Sequence, residues 1–273
     1  MMVNVRHVKV KNLLSPTKLG ADFVINPYIG CPHGCHYCYA AGITRERGGR
    51  AEPWGTFLDV KPPAVPFDPA KIFHKEILLS SMTDAYNPYE ERAQATRAIL
   101  RSLLPAQPDI TIITKSALVT RDIDLFKEFP HVKVIVSFSS LDDGFRRKME
   151  PHASSPQKKL AALAALKEAG IGTSVMAAPI FPGITDCAAL IEAAAPHVSE
   201  MNFDTLNLRN QNRESILAIV NTLRPELTGL YNEIYRQGRK DYWQTLRGEI
   251  KDNCRRFAVR ASVFFDTTSA FSR

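Results

Sequence analysis

The sequence predicts an α/β protein with a parallel β-sheet, and three observations favour this class. Short apolar runs rich in β-branched residues recur along the chain, and helical patterns fill the intervals between them. The runs are apolar almost throughout, as in strands that are buried on both faces. Hydrophobic residues make up 45% of the 273 residues, which is enough for a substantial core. We therefore expect six successive βα units, arranged either as a doubly wound sheet or as an incomplete barrel.

The six predicted strands follow one another with room for a helix between neighbours. They are the runs at residues 23–26, 77–81, 110–114, 132–137, 173–177 and 201–206. The clearest helix covers residues 156–169, because its leucines recur at a spacing of three residues. Ser154 or Ser155 can cap this helix, and Gly170 follows its end. A second helix is predicted at about residues 90–104.

The remaining segments carry weaker patterns. Residues 48–69 contain several prolines and little periodicity, so we expect an excursion over the barrel mouth or the sheet edge. The chain is helical and charged from about residue 210, while residues 254–273 have no strong pattern and are expected to be less ordered. We divide the chain into a core at residues 1–215 and a C-terminal helical extension at residues 216–273, packed on the core.

Three cysteines in a short run carry the strongest chemical signal. Cys31, Cys35 and Cys38 form a C-x₃-C-x₂-C triplet, and thiolates are ligands for both iron and zinc. Zinc sites usually add a second, distant Cys or His pair, which the sequence lacks. Three thiolates suit a four-iron cluster whose fourth iron stays open to a ligand. The alternatives are zinc with His33 or His36 as fourth ligand, and three cysteines without metal.

Chemistry-bearing residues also follow the other predicted strands. In barrel folds such residues meet at the C-terminal ends of the strands, so one rim would collect them with the cysteine run. A single serine or threonine at a strand end is also a common cap or turn residue. The glycine-rich fingerprint of dinucleotide-binding folds is absent. The strand-end residues are Thr83, Asp84, Lys115, Ser137, Ser139, Ala178, Pro179, Asn207 and Arg209.

The net charge and the cysteine content limit the partners and the cellular compartment that we expect. A net charge of +7 is compatible with nucleic acid or another polyanion, although charge alone speaks mainly to solubility. Five cysteines, an odd number, argue against a disulfide scaffold and favour a reducing compartment. No apolar run approaches the length of a membrane span, and the N-terminus lacks an apolar signal segment. We expect a cytoplasmic protein with no membrane partner.

The cysteine run, with an aromatic residue before its last cysteine, resembles the signature of radical S-adenosylmethionine (SAM) enzymes. Further blocks resemble the spore photoproduct lyase-like branch of that superfamily, over roughly residues 20–210. These blocks are NPYIGC at 26–31, SMTD at 81–84, TKS at 114–116, VSFSSLD at 136–142, EP at 150–151 and APIFPG at 178–183. Three more blocks look closest to uncharacterised members called radical SAM mobile pair proteins. They are WGTFLDVK at 54–61, YNP at 86–88 and LNLR at 206–209.

The resemblance implies a partial (β/α)6 TIM-type barrel, within residues 1–215, that carries a 4Fe–4S cluster. It implies an enzyme, lyase-like or oxidoreductase-like, in which the reduced cluster cleaves SAM to a 5′-deoxyadenosyl radical. That radical would abstract hydrogen from a substrate that the sequence does not identify. Family analogy suggests nucleic acid as the substrate and a paired radical SAM protein as a partner. It also implies an external electron donor of the flavodoxin or ferredoxin type.

The resemblance also implies roles for strand-end residues. Asp84 would hold the ammonium group of the methionine part of SAM, and Lys115 would lie near its carboxylate. Ser137 and Ser139 would face the ribose or the sulfonium, and the backbone of Ala178 would contact adenine. Each has a plainer alternative, because Asp84 can cap a helix that begins near Pro88, Lys115 can pair with Asp122, and the serines can close turns.

Two tyrosines and one serine complete the predicted site. Tyr37, between the last two cysteines, would place an aromatic ring beside the metal and is counted with the cofactor-binding residues. Tyr39 resembles a family tyrosine near the radical path. Ser81 stands where the lyase has the cysteine that returns hydrogen to its thymine product. An O–H bond is too strong to replace a thiol as hydrogen donor, so we do not expect repair of the spore lesion by that mechanism.

Two other classes of function remain open at this point. One is a zinc-stabilised nucleic-acid-binding module built on the three cysteines and a histidine. The other is a catalytically silent subunit that binds a cluster but does not cleave SAM. Iron content separates the first alternative from a radical SAM enzyme, and formation of 5′-deoxyadenosine separates the second.

Overall fold

The structure is a computed structural model, and it describes residues 3–61, 67–208 and 210–265. Arg209, the last residue of the LNLR block, lies outside the described residues. The strands are β1 Asn4–His7, β2 Leu14–Pro16, β3 Phe23–Ile25, β4 Tyr28–Ile29, β5 Phe57–Val60, β6 Glu76–Leu79, β7 Asp109–Thr114, β8 Val132–Phe138, β9 Gly172–Ile180, β10 Glu200–Thr205 and β11 Arg260–Val263. The helices are α1 Tyr39–Glu46, α2 Pro69–Ile72, α3 Glu90–Ala93, α4 Ala95–Leu103, α5 Ile123–Phe126, α6 Asp143–Met149, α7 Pro156–Glu168, α8 Cys187–Ala194, α9 Asn210–Leu223, α10 Thr228–Tyr235 and α11 Asp241–Arg256.

The main sheet has eight strands in the order β2-β3-β6-β7-β8-β9-β10-β11. From β3 to β11 each strand pairs in parallel with its neighbour, and β2 is antiparallel to β3. All six predicted strands are confirmed, as β3 and β6 to β10. Their order never reverses, whereas a doubly wound sheet reverses at its switch point. The prediction of a partial (β/α)6 barrel is therefore confirmed.

The core lies between the main sheet and the helices that cross over it. Side chains from successive strands are fully buried there, as expected of a parallel sheet covered by helices. This layer of strand residues consists of Ile25, Leu79, Ile112, Val136, Val175 and Met201. Helix α7 contributes Leu163 and Leu166 to the same core. None of the helices in the described part of the chain is both long and apolar enough to span a membrane.

One helix prediction is confirmed and the other needs correction. Helix α7 begins at the predicted residue, and the Ser155 side chain accepts a hydrogen bond from its first turn. The helix predicted at 90–104 is instead broken at Gln94, which takes a left-handed conformation with φ of 48°. The Glu90 side chain reaches forward across this break and accepts a hydrogen bond from Thr96 N of α4, at 3.0 Å. A local side-chain cap thus divides a segment whose apolar pattern is continuous.

The segment at 48–69 is not only an excursion. Its residues Phe57–Val60 form β5, which pairs in parallel with β1 and antiparallel with β4 to make a second, three-stranded sheet. All four residues of β5 are buried, and Asp59 among them pairs with Arg50 at 2.9 Å. A paired carboxylate inside a buried run hides the apolar pattern from sequence inspection. Residues 62–66 lie outside the described residues.

The C-terminal segment is more regular than the sequence predicts. Helix α11 continues to Arg256, and β11 adds a parallel strand beside β10. Arg247 on α11 donates hydrogen bonds to the carbonyl oxygens of Val263 and Phe265, at 3.1 and 3.0 Å. These contacts fix the strand on the helix that precedes it. Residues 266–273 of the predicted tail lie outside the described residues, and the division at residue 215 stays a proposal.

An ion pair between α4 and α5 leads to a prediction about acid stability. Hydrogen bonds from Arg97 lower the pKa of Asp124 from its ordinary 3.8 to about 2. The pair therefore stabilises the fold fully above about pH 4, and this contribution is lost as the pH falls through 2. We expect Asp124→Asn to lower the melting temperature slightly at pH 7. The loss in free energy of unfolding should be no more than about 1 kcal/mol, because Asp124 is exposed.

The test compares melting temperatures of the variant and the parent between pH 7 and pH 3. The difference between them should shrink as the pH falls. Asp252→Asn removes the same charge from a far more exposed pair with Arg255 and is the control. A deficit of Asp124→Asn that stays constant over this pH range would contradict the prediction.

Candidate active site

The three cysteines lie in one loop at the C-terminal end of the sheet. This cysteine loop, residues 30–38, directly follows β4 and leads into α1. Backbone hydrogen bonds join it to the turn after α6: His36 N donates to Met149 O at 3.0 Å, and His152 N donates to His33 O at 3.3 Å. Helix α9 contacts the same loop, where His36 Nδ1 lies 2.8 Å from Ser215 Oγ. The loop is therefore held from two sides before any ligand binds.

Cys31 and Cys35 of this loop are buried, Cys38 is half-buried, and the three thiols are close enough to influence one another. Burial raises the pKa of Cys31 and Cys35, and the charge of Cys38 raises both further. Burial also raises the pKa of Cys38. A metal that binds these sulfurs would have to displace their protons. A bound cation would therefore displace the thiol protons and relieve the repulsion between the charged sulfurs.

No group of three or more His, Cys, Asp or Glu side chains in the described ranges forms a ready site for one metal ion. Three sulfurs that ligate three different irons need not converge on one point. The fit of the loop to a cluster therefore rests on its donor set: three soft thiols, two of them on buried cysteines, on one loop that is held at both sides.

A second loop packs closely on the cysteine loop. Gly34, with φ of 64°, faces Gly55, with φ of 93°, and a Cβ on Gly55 would lie 2.9 Å from Gly34 Cα. Both positions use backbone conformations that side-chain-bearing residues rarely adopt. The WGTFLDVK segment thus supports the cysteine loop by direct backbone contact.

This contact predicts a specific effect of Gly55→Ala. The added methyl group would force the cysteine loop to move, which typically costs about 1–3 kcal/mol beyond the strain of the positive φ. We expect a lower melting temperature and less iron bound after reconstitution. Gly20→Ala is the matched control, because Gly20 has φ of 77° but nothing within 4 Å of its Cβ position. Equal effects of the two substitutions would show that strain alone matters.

Asp84 follows β6 and lies at the centre of the buried hydrogen bonds. Its Oδ1 accepts from Tyr86 N at 2.8 Å and from Thr114 Oγ1 at 2.7 Å, and its Oδ2 accepts from Lys115 N at 2.8 Å. His33 Nδ1 lies 3.3 Å from Oδ2, within ion-pairing distance but without hydrogen-bond geometry. Burial alone would raise the pKa of Asp84, but His33 and the hydrogen bonds outweigh it and lower the pKa to about 2.

Lys115 follows β7 and faces the ends of the next two strands. Its Nζ donates to Ser137 Oγ at 2.6 Å, and Ser137 Oγ in turn donates to Ala178 O at 3.3 Å. The ammonium also lies 5.5 Å from the centre of the Tyr37 ring. Ser139 is fully buried nearby, and its hydroxyl lies beside Glu150, where it helps to lower the pKa of that carboxylate. Asp84, Lys115, Ser137 and the Ala178 carbonyl are thus connected in one line of contacts at the strand ends.

The ion-pair partner of Lys115 is Glu150, whose Oε1 lies 3.8 Å from Nζ. The alternative pairing with Asp122 is wrong, because that carboxylate binds Arg97 at 2.6 Å and Arg121 at 2.7 Å. Sequence inspection placed Glu150 only in a block of resemblance and gave it no role. The sequence shows only a glutamate before a proline at the end of a helix, and this pattern does not predict that the side chain is fully buried.

Tyr39 and Ser81 lie together at the outer edge of the site. The Tyr39 hydroxyl donates to Ser81 O, and 46% of the Tyr39 residue surface is exposed. The Asn26 side chain accepts from Ser81 N and Met82 N, both at 2.9 Å, and so fixes this loop. Ser80 just before it has φ of 75°. A strained, well-anchored loop thus presents Ser81 beside an exposed phenol.

The two remaining cysteines belong to other parts of the fold. Cys187 lies in α8 and Cys254 in α11, and both are buried. Burial raises the pKa of Cys187 to about 12 and that of Cys254 to about 11. Neither thiol has the ionisation or exposure of a reactive cysteine. The three cysteines of the loop are therefore the ones gathered at the rim.

Comparison with known proteins connects this arrangement to one superfamily. The radical SAM superfamily profile matches residues 25–193. An uncharacterised protein of Methanocaldococcus jannaschii is 34% identical over 209 residues, which cover 76% of this chain and 79% of the relative. An uncharacterised protein of Mycobacterium tuberculosis is 28% identical over 242 residues, with 79% of this chain and 68% of the relative covered.

Solved structures with a similar fold include spore photoproduct lyase. A cysteine-to-serine mutant of that lyase gives a TM-score of 0.66 at 17% identity, over 96% of this chain and 82% of the lyase. Another lyase mutant, with bound AdoMet and dinucleoside spore photoproduct, gives 0.65 at 15% identity over the same 96% and 82%. SuiB of Streptococcus suis bound to S-adenosylmethionine gives 0.56 at 12% identity, over 91% of this chain and 51% of SuiB. At these identities the likeness concerns the fold.

Proposed function

The chain belongs to the radical SAM superfamily, and from that premise we propose that it generates a 5′-deoxyadenosyl radical that removes hydrogen from a nucleic-acid substrate. Membership makes it an enzyme that uses SAM, and the family implies a 4Fe–4S cluster. The observation that supports the assignment of the site is the convergence of the thiol loop with a buried lysine and carboxylates on one rim.

We propose that Cys31, Cys35 and Cys38 hold three irons of the cluster. A reduced 4Fe–4S cluster, when bound, supplies the electron that cleaves SAM into methionine and a 5′-deoxyadenosyl radical. The protein's own part is to hold the thiols on a loop that is fastened to the turn after α6 and supported by Gly55. Tyr37 covers the inner side of this loop and packs edge-on against Phe181, with ring centres 5.7 Å apart.

Lys115 is the residue that we assign to the carboxylate of SAM. An ammonium group has three N–H donors, and here one is used by Ser137, while the Glu150 contact is a looser ion pair at 3.8 Å. The Lys115 side chain keeps 18% of its surface exposed, so it still has a donor for a ligand. Ser137 and the Ala178 carbonyl continue this line of polar atoms along the strand ends.

Asp84 contributes mainly by shaping the site. A carboxylate has about four acceptor positions, and three hydrogen bonds plus the His33 contact already engage them. A methionine ammonium that binds Asp84 would therefore replace His33. For Ser139 we keep the ribose or sulfonium contact that the family suggests, with its buried hydroxyl beside Glu150.

The position of Ser81 bears on the fate of the substrate radical. A serine hydroxyl does not return a hydrogen atom to a carbon radical, so we propose a reaction different from that of the lyase at this step. Tyr39 lies beside Ser81 at the exposed edge and is the tyrosine that we place near the substrate. A phenol O–H bond is weaker than an alcohol O–H bond, which makes Tyr39 the better of the two as a hydrogen source.

Nucleic acid is the substrate class that we favour. The net charge of +7 suits a polyanion, and one solved structure of similar fold contains a dinucleoside spore photoproduct. An external flavodoxin-type or ferredoxin-type donor would supply the electron, and a second radical SAM protein is a proposed partner. No observation on this chain favours the zinc-stabilised module once the family is assigned.

The decisive experiment is anaerobic reconstitution with iron and sulfide, reduction with dithionite, addition of SAM and chromatographic assay of 5′-deoxyadenosine. Its formation supports the proposed chemistry. About four irons per chain without 5′-deoxyadenosine would favour the silent partner subunit. Salt-dependent binding of single-stranded or duplex DNA and RNA then tests the substrate class, and the absence of binding at low salt would contradict it.

A further inference from the structure

Four charged side chains lie under the rim of the site, three of them almost fully buried and Lys115 partly buried. Glu150 is fully buried, Lys159 is 1% exposed, and the Asp84 and Lys115 side chains are 9% and 18% exposed. Two of these groups are anionic and two are cationic, so the set is balanced. Ionised groups in such surroundings depend on one another, because each loses its hydration and must be compensated by a partner.

Glu150 connects this set to the cysteine loop. Its Oε1 accepts a hydrogen bond from the Tyr37 hydroxyl, within the cysteine triplet. The backbone on both sides of Glu150 is bonded to the same loop, through Met149 O and His152 N. Arg146 donates to the carbonyl oxygens of Glu150 and Ala153 and so holds the turn in shape. The carboxylate is thus fixed against the loop that we assign to the cluster.

The same carboxylate faces both buried lysines. Lys159 Nζ lies 3.4 Å from Oε2, and Lys115 Nζ lies 3.8 Å from Oε1. Burial lowers the pKa of Lys159, the charge of Glu150 opposes this, and repulsion by the charge of Lys115 lowers the pKa further. Desolvation opposes the charged form of Lys115, and Glu150 is the largest influence that favours it. Glu150 is therefore the carboxylate that pairs with both cations, only one of which faces the cofactor site, and Asp84 adds a weaker attraction to Lys115.

We propose that Glu150 is a positioning residue that divides its charge between Lys115 and Lys159 and thereby leaves Lys115 free to bind the carboxylate of SAM. Glu150 also fastens Tyr37, so one side chain links the lysine to the cysteine loop. This inference rests on the proposed function, in which Lys115 contacts SAM. It assigns to Glu150 and Lys159 a part in cofactor affinity although neither touches the cofactor.

Charge balance predicts an unusual pattern in a double-mutant cycle. Glu150→Gln leaves two buried ammonium groups without their carboxylate, so Lys115 loses its charge or its place, and SAM affinity should fall at least about tenfold. Lys159→Met leaves Glu150 with Lys115 alone, so the carboxylate competes with SAM, and affinity should fall about threefold or more. The double variant removes one charge of each sign, and its affinity should return to within about threefold of the parent.

The measurement is anaerobic equilibrium dialysis of labelled SAM with the iron-loaded proteins, together with EPR of the reduced cluster with and without SAM. The SAM-dependent change in the EPR spectrum should need more SAM in each single variant and normal amounts in the double variant. Loss of a merely structural contact would give additive losses instead. Glu200→Gln is the control, since it removes a carboxylate that pairs with Lys133 and Arg260 at the N-terminal end of β10, and it should leave SAM affinity within about threefold of the parent.

The outcomes separate this inference from the function on which it rests. A parent protein that binds iron but not SAM would overturn both. A parent that binds SAM, with equal affinity in Glu150→Gln or with no recovery in the double variant, would overturn the inference alone. If Glu150→Gln does not fold, the double variant still decides: near-parental affinity supports charge balance, and a tenfold loss overturns it.

Discussion

Cys35→Ala is expected to lose most of the cluster iron, while Cys187→Ala keeps about four irons per chain. Cys35 is one of three thiols on the cysteine loop, and a cluster held by two protein ligands is not expected to survive purification. Cys187 lies in α8, outside that loop. Iron and sulfide analysis of anaerobically reconstituted proteins, together with their visible absorption spectra, measures the difference.

The controls make this comparison specific. Cys187→Ala and Cys254→Ala each remove a buried thiol and should cost about 1 kcal/mol of stability without changing iron content. Cys31→Ala and Cys38→Ala should behave like Cys35→Ala. Full iron retention in Cys35→Ala would contradict the ligand assignment, and zinc in place of iron in the parent would bring back the zinc-stabilised module.

The strands of the main sheet could be predicted because their physical signal is local. A run buried on both faces, such as Glu76–Leu79 or Val132–Phe138, is apolar at most of its positions whatever surrounds it. The order of the strands was less accessible, since periodicity does not distinguish a barrel from a doubly wound sheet. The parallel pairing of each strand with the next along the chain resolves this in favour of the partial barrel.

The elements that sequence inspection missed depend on distant partners. Strand β5 contains Asp59, which is acceptable in a buried strand only because Arg50 reaches it. Strand β11 is stabilised by Arg247 on the preceding helix and by pairing with β10. The helix break at Gln94 depends on where the Glu90 side chain turns. None of these arrangements follows from local propensity.

The candidate site likewise has residues that the sequence predicts and contacts that it does not. The cysteine triplet could be found from spacing alone, and the strand-end residues from the rule that barrel chemistry gathers at one rim. The contacts of these residues could not be predicted from the sequence. Asp84 accepts hydrogen bonds from backbone donors, and Lys115 pairs with Glu150 rather than with Asp122. Glu150 lies at the end of a helix and belongs to no motif with a characteristic spacing. Its burial depends on the turn around it, which the sequence does not reveal. Its importance emerges only from three-dimensional contacts.

Asp84→Ala is expected to damage both stability and cofactor binding. The substitution would leave the donors Tyr86 N, Thr114 Oγ1 and Lys115 N without their acceptor in a buried environment. An unsatisfied buried donor costs about 1–3 kcal/mol, so the free energy of unfolding should fall by about 3–5 kcal/mol. SAM affinity should fall as well, because the loop that carries Lys115 loses its anchor. Urea unfolding of the apoprotein and dialysis with SAM measure the two effects.

Asp186→Ala provides the matched control for this result. Asp186 also accepts a backbone hydrogen bond, from Ala189 N at 2.9 Å, but as an exposed cap of α8. Its loss should cost about 1 kcal/mol and leave SAM affinity unchanged. If Asp84→Ala proved no more destabilising than Asp186→Ala yet abolished SAM binding, Asp84 would be a direct ligand of the methionine ammonium, with His33 displaced. If it were strongly destabilising but bound SAM normally, the carboxylate would serve the fold alone.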